Sequence, residues 1–334
     1  GRKENNPLPS KEDNWIIRKK MNYLKDYREG EKFVGTYLCK QKQILKTKAG
    51  KTYYSLTLQD KTGTADGKIW ELNNGIANFE PMDYIHCEGM VTSFQGNLQM
   101  NISRVRISDE GEYDPADYVP CTNKDVGEMF SRILKYVASV QNKYLRKILE
   151  MYFVENKEFV DAFKKHSAAK SVHHGFMGGL LEHTLSVTDM CQYFAEHYPM
   201  IHRDLLITAA LFHDMGKIQE ISDFPMNDYT DDGQLLGHIY IGARCMENAA
   251  AQIPNFPPKL KNELVHCILA HHGKMEFGSP KVPAIMEAMA LHMADNADAK
   301  LQTLTEVFTQ AGDNMGWLGF NRMFESNLRK TSEE

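Results

Sequence analysis

Seven histidine and aspartate residues fall in five segments whose surroundings suit metal chemistry. His183 lies in GGLLEHTLSV, and His213 and Asp214 are adjacent in ALFHDMGK. His238 lies in LLGHIYIG, His271 and His272 end ILAHHG, and Asp295 lies in LHMADNADAK. Mn²⁺, Fe²⁺ and Zn²⁺ accept imidazole and carboxylate together. A donor set without thiolate argues against a cysteine-type structural zinc site. Seven ligands exceed what one ion takes while leaving room for water, so two ions sharing a carboxylate fit the count better. The chemistry expected of such a centre is phosphoester hydrolysis. Adjacent polar pairs inside apolar helices are costly to bury without purpose. Single residues carry less weight, and Glu182, His197, His202, His266 and His292 are read as hydrogen-bonded core or surface groups. Of these, His292 comes closest to a ligand, three residues before Asp295 on the same helical face.

Helices must carry these groups. From Asn123 to about residue 310 apolar residues recur at spacings of three and four, as in KDVGEMFSRILKYVASV and NKYLRKILEMYFV, which predicts a nearly all-α region. In ALFHDMGK and ILAHHG an apolar run leads to the polar pair and a glycine follows, a helix-stop signal. The pairs are therefore expected at helix C-termini, where carbonyl dipoles favour cations.

Ahead of this region the period changes to two. EKFVGTYLCKQKQILKT, YYSLTLQD, ADGKIW, DYIHCEGMVTSF and LQMNISRVRIS read as five short strands separated by glycine-containing turns. ELNNGIANFEPM, between the third and fourth, has room for a short helix, and that order is the one of an OB-fold barrel. The expected architecture is multidomain α+β. It comprises a partly flexible lead-in over 1–28, a five-stranded OB-fold β-barrel over 29–108, an acidic linker with two prolines over 109–122, an all-α domain over 123–311, and an irregular tail over 312–334. Within the lead-in, residues 15–28 read as a short amphipathic segment or a lead-in strand.

The formal charge of −5 conceals a split. Residues 1–108 hold 18 Lys/Arg against 12 Asp/Glu, a net +6, and the rest hold 21 against 32, a net −11. The first part suits a polyanion. Six scattered cysteines without a CxxC pair suggest reduced thiols and a cytoplasmic location. No long apolar run predicts a membrane span, and the polar segment 1–14 has no secretory h-region.

The order H…HD…H…HH…D is the pattern of the HD superfamily. More narrowly, HHGFMGGLLEHTLSV, AALFHDMGKIQE, YTDDGQLLGHI, AHHGKMEFGSP and ALHMADNADAKL resemble the YhaM family of 3′→5′ exoribonucleases, over about residues 30–310. The resemblance implies an OB-fold followed by an HD domain, and a hydrolase usually supported by Mn²⁺ that removes nucleotides from the 3′ ends of single-stranded RNA, with single-stranded DNA a further substrate of some members. It implies that His183, His213, Asp214 and Asp295 hold one ion, that His238, His271 and His272 hold the second, and that Asp214 bridges. Around them, Asp214, Lys217 and His174 are the expected catalytic groups. His173, His174, Lys217 and Arg244 are expected to contact substrate phosphate, and Asp298 to support the ligands. On the barrel, Lys48, Lys51 and Arg104, with Lys46, Lys68 and Arg106, are expected phosphate contacts. Tyr37, Tyr53, Tyr54 and Phe94 are candidate stacking groups, whereas Trp70 is read as core. The alternative function is a phosphohydrolase of small nucleotides or short oligonucleotides, which needs no strand-binding platform. Self-association is compatible with the sequence.

Overall fold

The computed structural model describes residues 22–94, 97–170 and 174–332. It divides into two compact units, one ending at Val119 and the other beginning at Pro120. Among the described residues, no helix is long and apolar enough to cross a membrane.

The first unit is a closed barrel of β1 (Lys32–Lys46), β2 (Thr52–Asp60), β3 (Gly63–Ile69), β4 (Tyr84–Phe94) and β5 (Asn97–Ile107), in the order β1-β2-β3-β5-β4. All neighbours are antiparallel except β3 and β5, which run parallel from Asp66↔Gln99 to Lys68↔Asn101. This is the OB-fold arrangement. β1 closes the barrel by serving two neighbours. Its first half pairs with β4 and its second half with β2, and the register shifts between Cys39 and Gln41. A bulge at that point lets one long strand bend around the barrel. Alternate residues turn inward, so Phe33, Tyr37, Leu56, Leu58, Ile69, Ile85, Val91 and Ile102 form the core.

Three expectations for this unit change. ELNNGIANFEPM forms no helix. Asn73 Oδ1 accepts the Gly75 amide at 2.8 Å, Ile76 bridges to Val105, and Phe79 enters the core. A side chain that bonds its own backbone competes with helix formation at this point. The acidic segment 109–119 is not a free linker. Tyr113 stacks on Tyr84 with ring centroids 4.0 Å apart, and Tyr118 and Val119 are buried. In the lead-in, Leu24–Asp26 is a single 3₁₀ turn rather than a strand, whereas residues 1–21 lie outside those described.

The second unit is helical: α1 (Val126–Ser139), α2 (Lys143–Phe153), α3 (Lys157–Lys165), α4 (Gly179–His197), α5 (Arg203–Phe212), α6 (Lys217–Glu220), α7 (Asp231–Ala251), α8 (Pro258–Ala270) and α9 (Met286–Gln310). Side-chain caps start several of them: Asp125 accepts the Glu128 amide at 2.7 Å, Asn156 that of Phe159 at 3.0 Å, and Thr230 that of Gly233 at 3.0 Å. Every residue of α5 from Leu205 to Phe212 is buried, as expected of a helix apolar all round. It packs among α4, α8 and α9 and fixes the centre of the unit. The tail, read as irregular, contains a small hairpin of β6 (Phe320–Asn321) and β7 (Ser326–Asn327).

Candidate metal centre and nucleic-acid interface

Helices α4, α5, α7, α8 and α9 bring all seven predicted ligands together. His213 is the residue that ends α5 and His271 the residue that ends α8, so both pairs do lie at helix C-termini. The glycines after them differ. Gly273 is left-handed (φ 79°), the expected stop, but Gly216 has a right-handed helical backbone. Gly216 is required for space: a Cβ there would stand 2.1 Å from the His238 carbonyl oxygen. This contact holds the HD turn against α7.

Two groups of donors result, each with its ligand atoms within 4.8 Å of one another: His183, His213 and Asp295, and His238, His271 and His272. Asp214 lies between them. Its Oδ2 is 3.3 Å from His183 Nε2 and 3.5 Å from His213 Nε2, and its Oδ1 is 3.5 Å from His238 Nε2 and 3.6 Å from His271 Nε2. His183 Nε2 also lies 3.2 Å from Asp295 Oδ1 and 3.2 Å from His213 Nε2.

Hydrogen bonding at the far side of each ring decides what faces inward. His213 Nδ1 lies 2.7 Å from the Ala210 carbonyl, His271 Nδ1 2.6 Å from that of Ile268, and His272 Nδ1 2.8 Å from that of Phe277. A carbonyl oxygen only accepts, so each Nδ1 carries a proton and each ring turns its Nε2 inward. His183 and His238 use carboxylates instead. His183 Nδ1 is 2.6 Å from Asp298 Oδ2, and His238 Nδ1 is 2.9 Å from Glu220 Oε1. Asp298 also accepts from Ser186 and from His174 Nε2, the latter at 2.9 Å. Buried lone pairs that face one another without a donor are costly. Asp214 Oδ1, His238 Nε2 and His271 Nε2 have no hydrogen-bond partner among the described residues. A divalent cation satisfies such an arrangement, and a further ligand from water leaves it open to substrate.

The electrostatics agree with that use at His213 and His272. Burial draws His213 down to about 4, although Asp214 opposes it. Burial also draws His272 down to about 3, helped by His271 and His238. His183 goes the other way. Burial lowers its pKa, but hydrogen bonds to Asp214, Asp295 and Asp298 outweigh burial and hold it well above the ordinary histidine value. Burial alone would raise Asp214, yet Lys217 and His213 hold it well below the usual carboxylate range.

The residues expected beside the ligands separate by environment. Lys217 reaches the centre: its Nζ is 2.7 Å from Asp214 Oδ2, and burial, which lowers its pKa, is outweighed by that carboxylate. His174 is 2% exposed and engaged by Asp298, so it backs His183 instead of facing a leaving group. The donors of His174, His183 and Asp298 also lie close enough for an ion; within the fold they form a hydrogen-bonded chain through Asp298, and His174 Nδ1 is buried without a partner among the described residues. His173 lies outside the described residues. Arg244 is half-buried on α7, its guanidinium 5.6 Å from the Tyr240 ring centroid. The five side chains set aside each have another task. Glu182 accepts from Thr122, His202 caps α5, His266 accepts the Ala284 amide, His197 stacks near Tyr193, and His292 lies 3.0 Å from the His271 carbonyl. Glu220 was missed, and nothing in the local sequence GKIQEIS distinguishes it from a surface glutamate.

On the barrel, Trp70 corrects its assignment to the core. It is 40% exposed, stacks on Tyr53 with centroids 4.6 Å apart, and donates from Nε1 to Asn101 at 3.0 Å. Strand β3 ends one residue earlier, which frees Trp70 from the inward alternation. Tyr37 is fully buried and bonded to Tyr27, and Tyr54 packs against the core, so neither is available for stacking. Phe94 is exposed. Lys48 and Lys51 flank the β1–β2 turn, Lys51 within 3.3 Å of Glu71, and Arg104 stands exposed 4.0 Å from Glu88. Arg106 is held in both arms by Glu112 and Lys68 lies 2.5 Å from Asp66, so both cations are occupied within the fold.

Comparison with known proteins places these features. The HD domain family matches residues 180–300. The 3′-5′ exoribonuclease YhaM of Bacillus subtilis (strain 168) is 32% identical over 262 residues, covering 76% of this chain and 81% of that protein. The protein of the same name from Listeria innocua is 32% identical over 293 residues, covering 85% and 90%. A solved second OB-fold domain of replication protein A from Methanococcus maripaludis matches at 20% identity over 27% of this chain and 98% of that one, with a TM-score of 0.22. That score is too low to bear on the barrel, whose assignment rests on its strand pairing.

Proposed function

The chain belongs to the YhaM family of 3′-5′ exoribonucleases, and on that premise we propose that it shortens single-stranded RNA from its 3′ end at a centre of two divalent metal ions, Mn²⁺ being the expected metal. The observation that carries the two-ion reading is Asp214, whose two oxygens each face a different group of inward-turned imidazoles. His183, His213, Asp214 and Asp295 would hold one ion, and His238, His271 and His272, sharing Asp214, the other.

Ions bound there supply positive charge that makes water a stronger nucleophile at neutral pH and polarises the phosphodiester. The chain does the rest. Backbone carbonyls and carboxylates fix the rings through Nδ1, so the Nε2 atoms need no reorganisation on binding. Lys217, anchored on Asp214, keeps an ammonium where negative charge grows on a phosphate oxygen. Asp298 holds His183 and His174 in one chain and prevents either ring from turning. His174 therefore acts as a support, and Arg244 is left as a phosphate contact on α7.

The barrel would grip the strand. The Tyr53–Trp70 pair offers a ring face on which a base stacks, and Phe94 offers a second. Lys48, Lys51 and Arg104 would contact phosphates, in keeping with the positive balance of this part of the chain. Stacking and phosphate contacts do not distinguish sugars, so single-stranded DNA is expected to bind as well.

The test uses 5′-labelled single-stranded RNA and metal-stripped protein. A ladder of products shortened stepwise from the 3′ end, appearing on addition of Mn²⁺ and absent with chelator, is the expected result. Turnover confined to mononucleotides or dinucleotides would instead establish the small-nucleotide phosphohydrolase.

A further inference from the structure

We infer that Glu220 is the positioning residue of the second metal group, setting the affinity of the ion held by His238, His271 and His272 and leaving the other ion untouched; this rests on the two-ion reading above.

The case begins with a break in α7. Gly237 has φ 72° and ψ 154°, far from helical values, so the helix is interrupted one residue before His238 and restarts there. A restarting helix presents backbone N–H groups without partners. One Glu220 oxygen answers this need and a second one together: Oε1 accepts the His238 amide at 2.9 Å and the His238 Nδ1–H at 2.9 Å. A single carboxylate oxygen thus sets both where the His238 backbone stands and how its ring is turned. Negative charge at the start of the resumed helix is itself favourable.

Glu220 is in turn held from behind. Its carbonyl oxygen accepts the Thr230 amide at 2.9 Å, and Gly233 lies so close that a Cβ would stand 2.1 Å from that same oxygen. The residue is buried. Its backbone is fixed and its side chain enclosed, which distinguishes it from an exposed glutamate in incidental contact.

The two halves of the centre are supported in parallel. His183 leans on the carboxylate of Asp298 and His238 on that of Glu220, whereas the remaining histidines lean on backbone carbonyls. A carboxylate partner makes an imidazole a stronger donor than a carbonyl does, and its loss costs about 10- to 100-fold in metal affinity. Each half has one such histidine, so each carboxylate should govern one ion.

The experiment is a Mn²⁺ titration of the metal-stripped chain, both units together, with free Mn²⁺ counted by electron paramagnetic resonance. Wild type should bind two ions. Glu220→Gln and Glu220→Asp should each keep one ion at wild-type affinity and weaken the other about 10- to 100-fold. Asp298→Asn should weaken the complementary one. Independently of any variant, the imidazole ¹⁵N shifts of the metal-free wild-type chain should place the His238 proton on Nδ1. Wild type that binds fewer than two ions overturns the two-ion reading itself. Two ions in wild type with both Glu220 variants binding as wild type, or losing the two ions equally, overturn the inference alone, as does a His238 proton on Nε2.

Discussion

The barrel and the helical unit place their polar chemistry on opposite sides of their cores. In the barrel the apolar residues fill the interior, and the groups suited to a ligand (Trp70, Tyr53, Phe94, Lys48, Lys51, Arg104) stand outside, each with a few neighbours. In the helical unit the chemistry is the interior: His213 and His271 are fully buried and Asp214 nearly so, among the apolar residues of α5 and α8. A buried donor must be satisfied on all sides, so its neighbours are dictated. An exposed contact is one of many and is individually weak. The two regions should therefore answer mutation on different scales and in different observables.

The largest effect is expected inside. Asp295→Asn removes a carboxylate from the His183–His213 group and should cut turnover more than about 10³-fold, beyond the loss of a single charge-stabilising donor. Strand binding, measured by fluorescence anisotropy, should hold. A Kd that collapses in parallel would break the contrast between the regions.

Acid should also act on the interior. His213 and His272 take up protons near 6.5 when unfolded but only near about 4 and about 3 in the fold. The unfolded chain then binds more protons between those values, so stability falls as pH drops from 6.5 toward 4. For His213 alone the loss is on the order of 3 kcal/mol. His183, raised in the fold, changes stability only above pH 6.5 and leaves that loss standing. Urea denaturation of the metal-free chain at pH 7 and pH 4.5 should show lower stability at pH 4.5, and unchanged stability would contradict the assignment.

The smallest effect belongs to the barrel. Trp70→Ala should weaken binding of single-stranded RNA by about 1–3 kcal/mol, seen as a raised KM with kcat held. A fall in kcat instead would tie this surface to the chemistry itself.

The same contrast explains what the sequence disclosed. The cluster was legible because adjacent polar pairs in ALFHDMGK and ILAHHG interrupt strongly apolar helices, which leaves few reasons for them. The strand pattern was legible because alternation sets which side chains turn inward. Trp70 escaped because it lies one residue past the end of β3, where alternation no longer applies. The absent helix in ELNNGIANFEPM reflects a local Asn73 hydrogen bond that composition does not reveal. Glu220 escaped because its partner, His238, is 18 residues away and meets it only through the break at Gly237. His174 has the right residue type for proton transfer, but contact with Asp298, 124 positions on, makes it a support.

Asp214→Ala tests the central claim most directly, with turnover and strand binding measured on the same preparation. The account predicts no stepwise shortening of 5′-labelled single-stranded RNA at any Mn²⁺ concentration, with Kd for the strand unchanged from wild type. Shortening that persists in this variant would contradict it, because the two oxygens of Asp214 face the two halves of the centre.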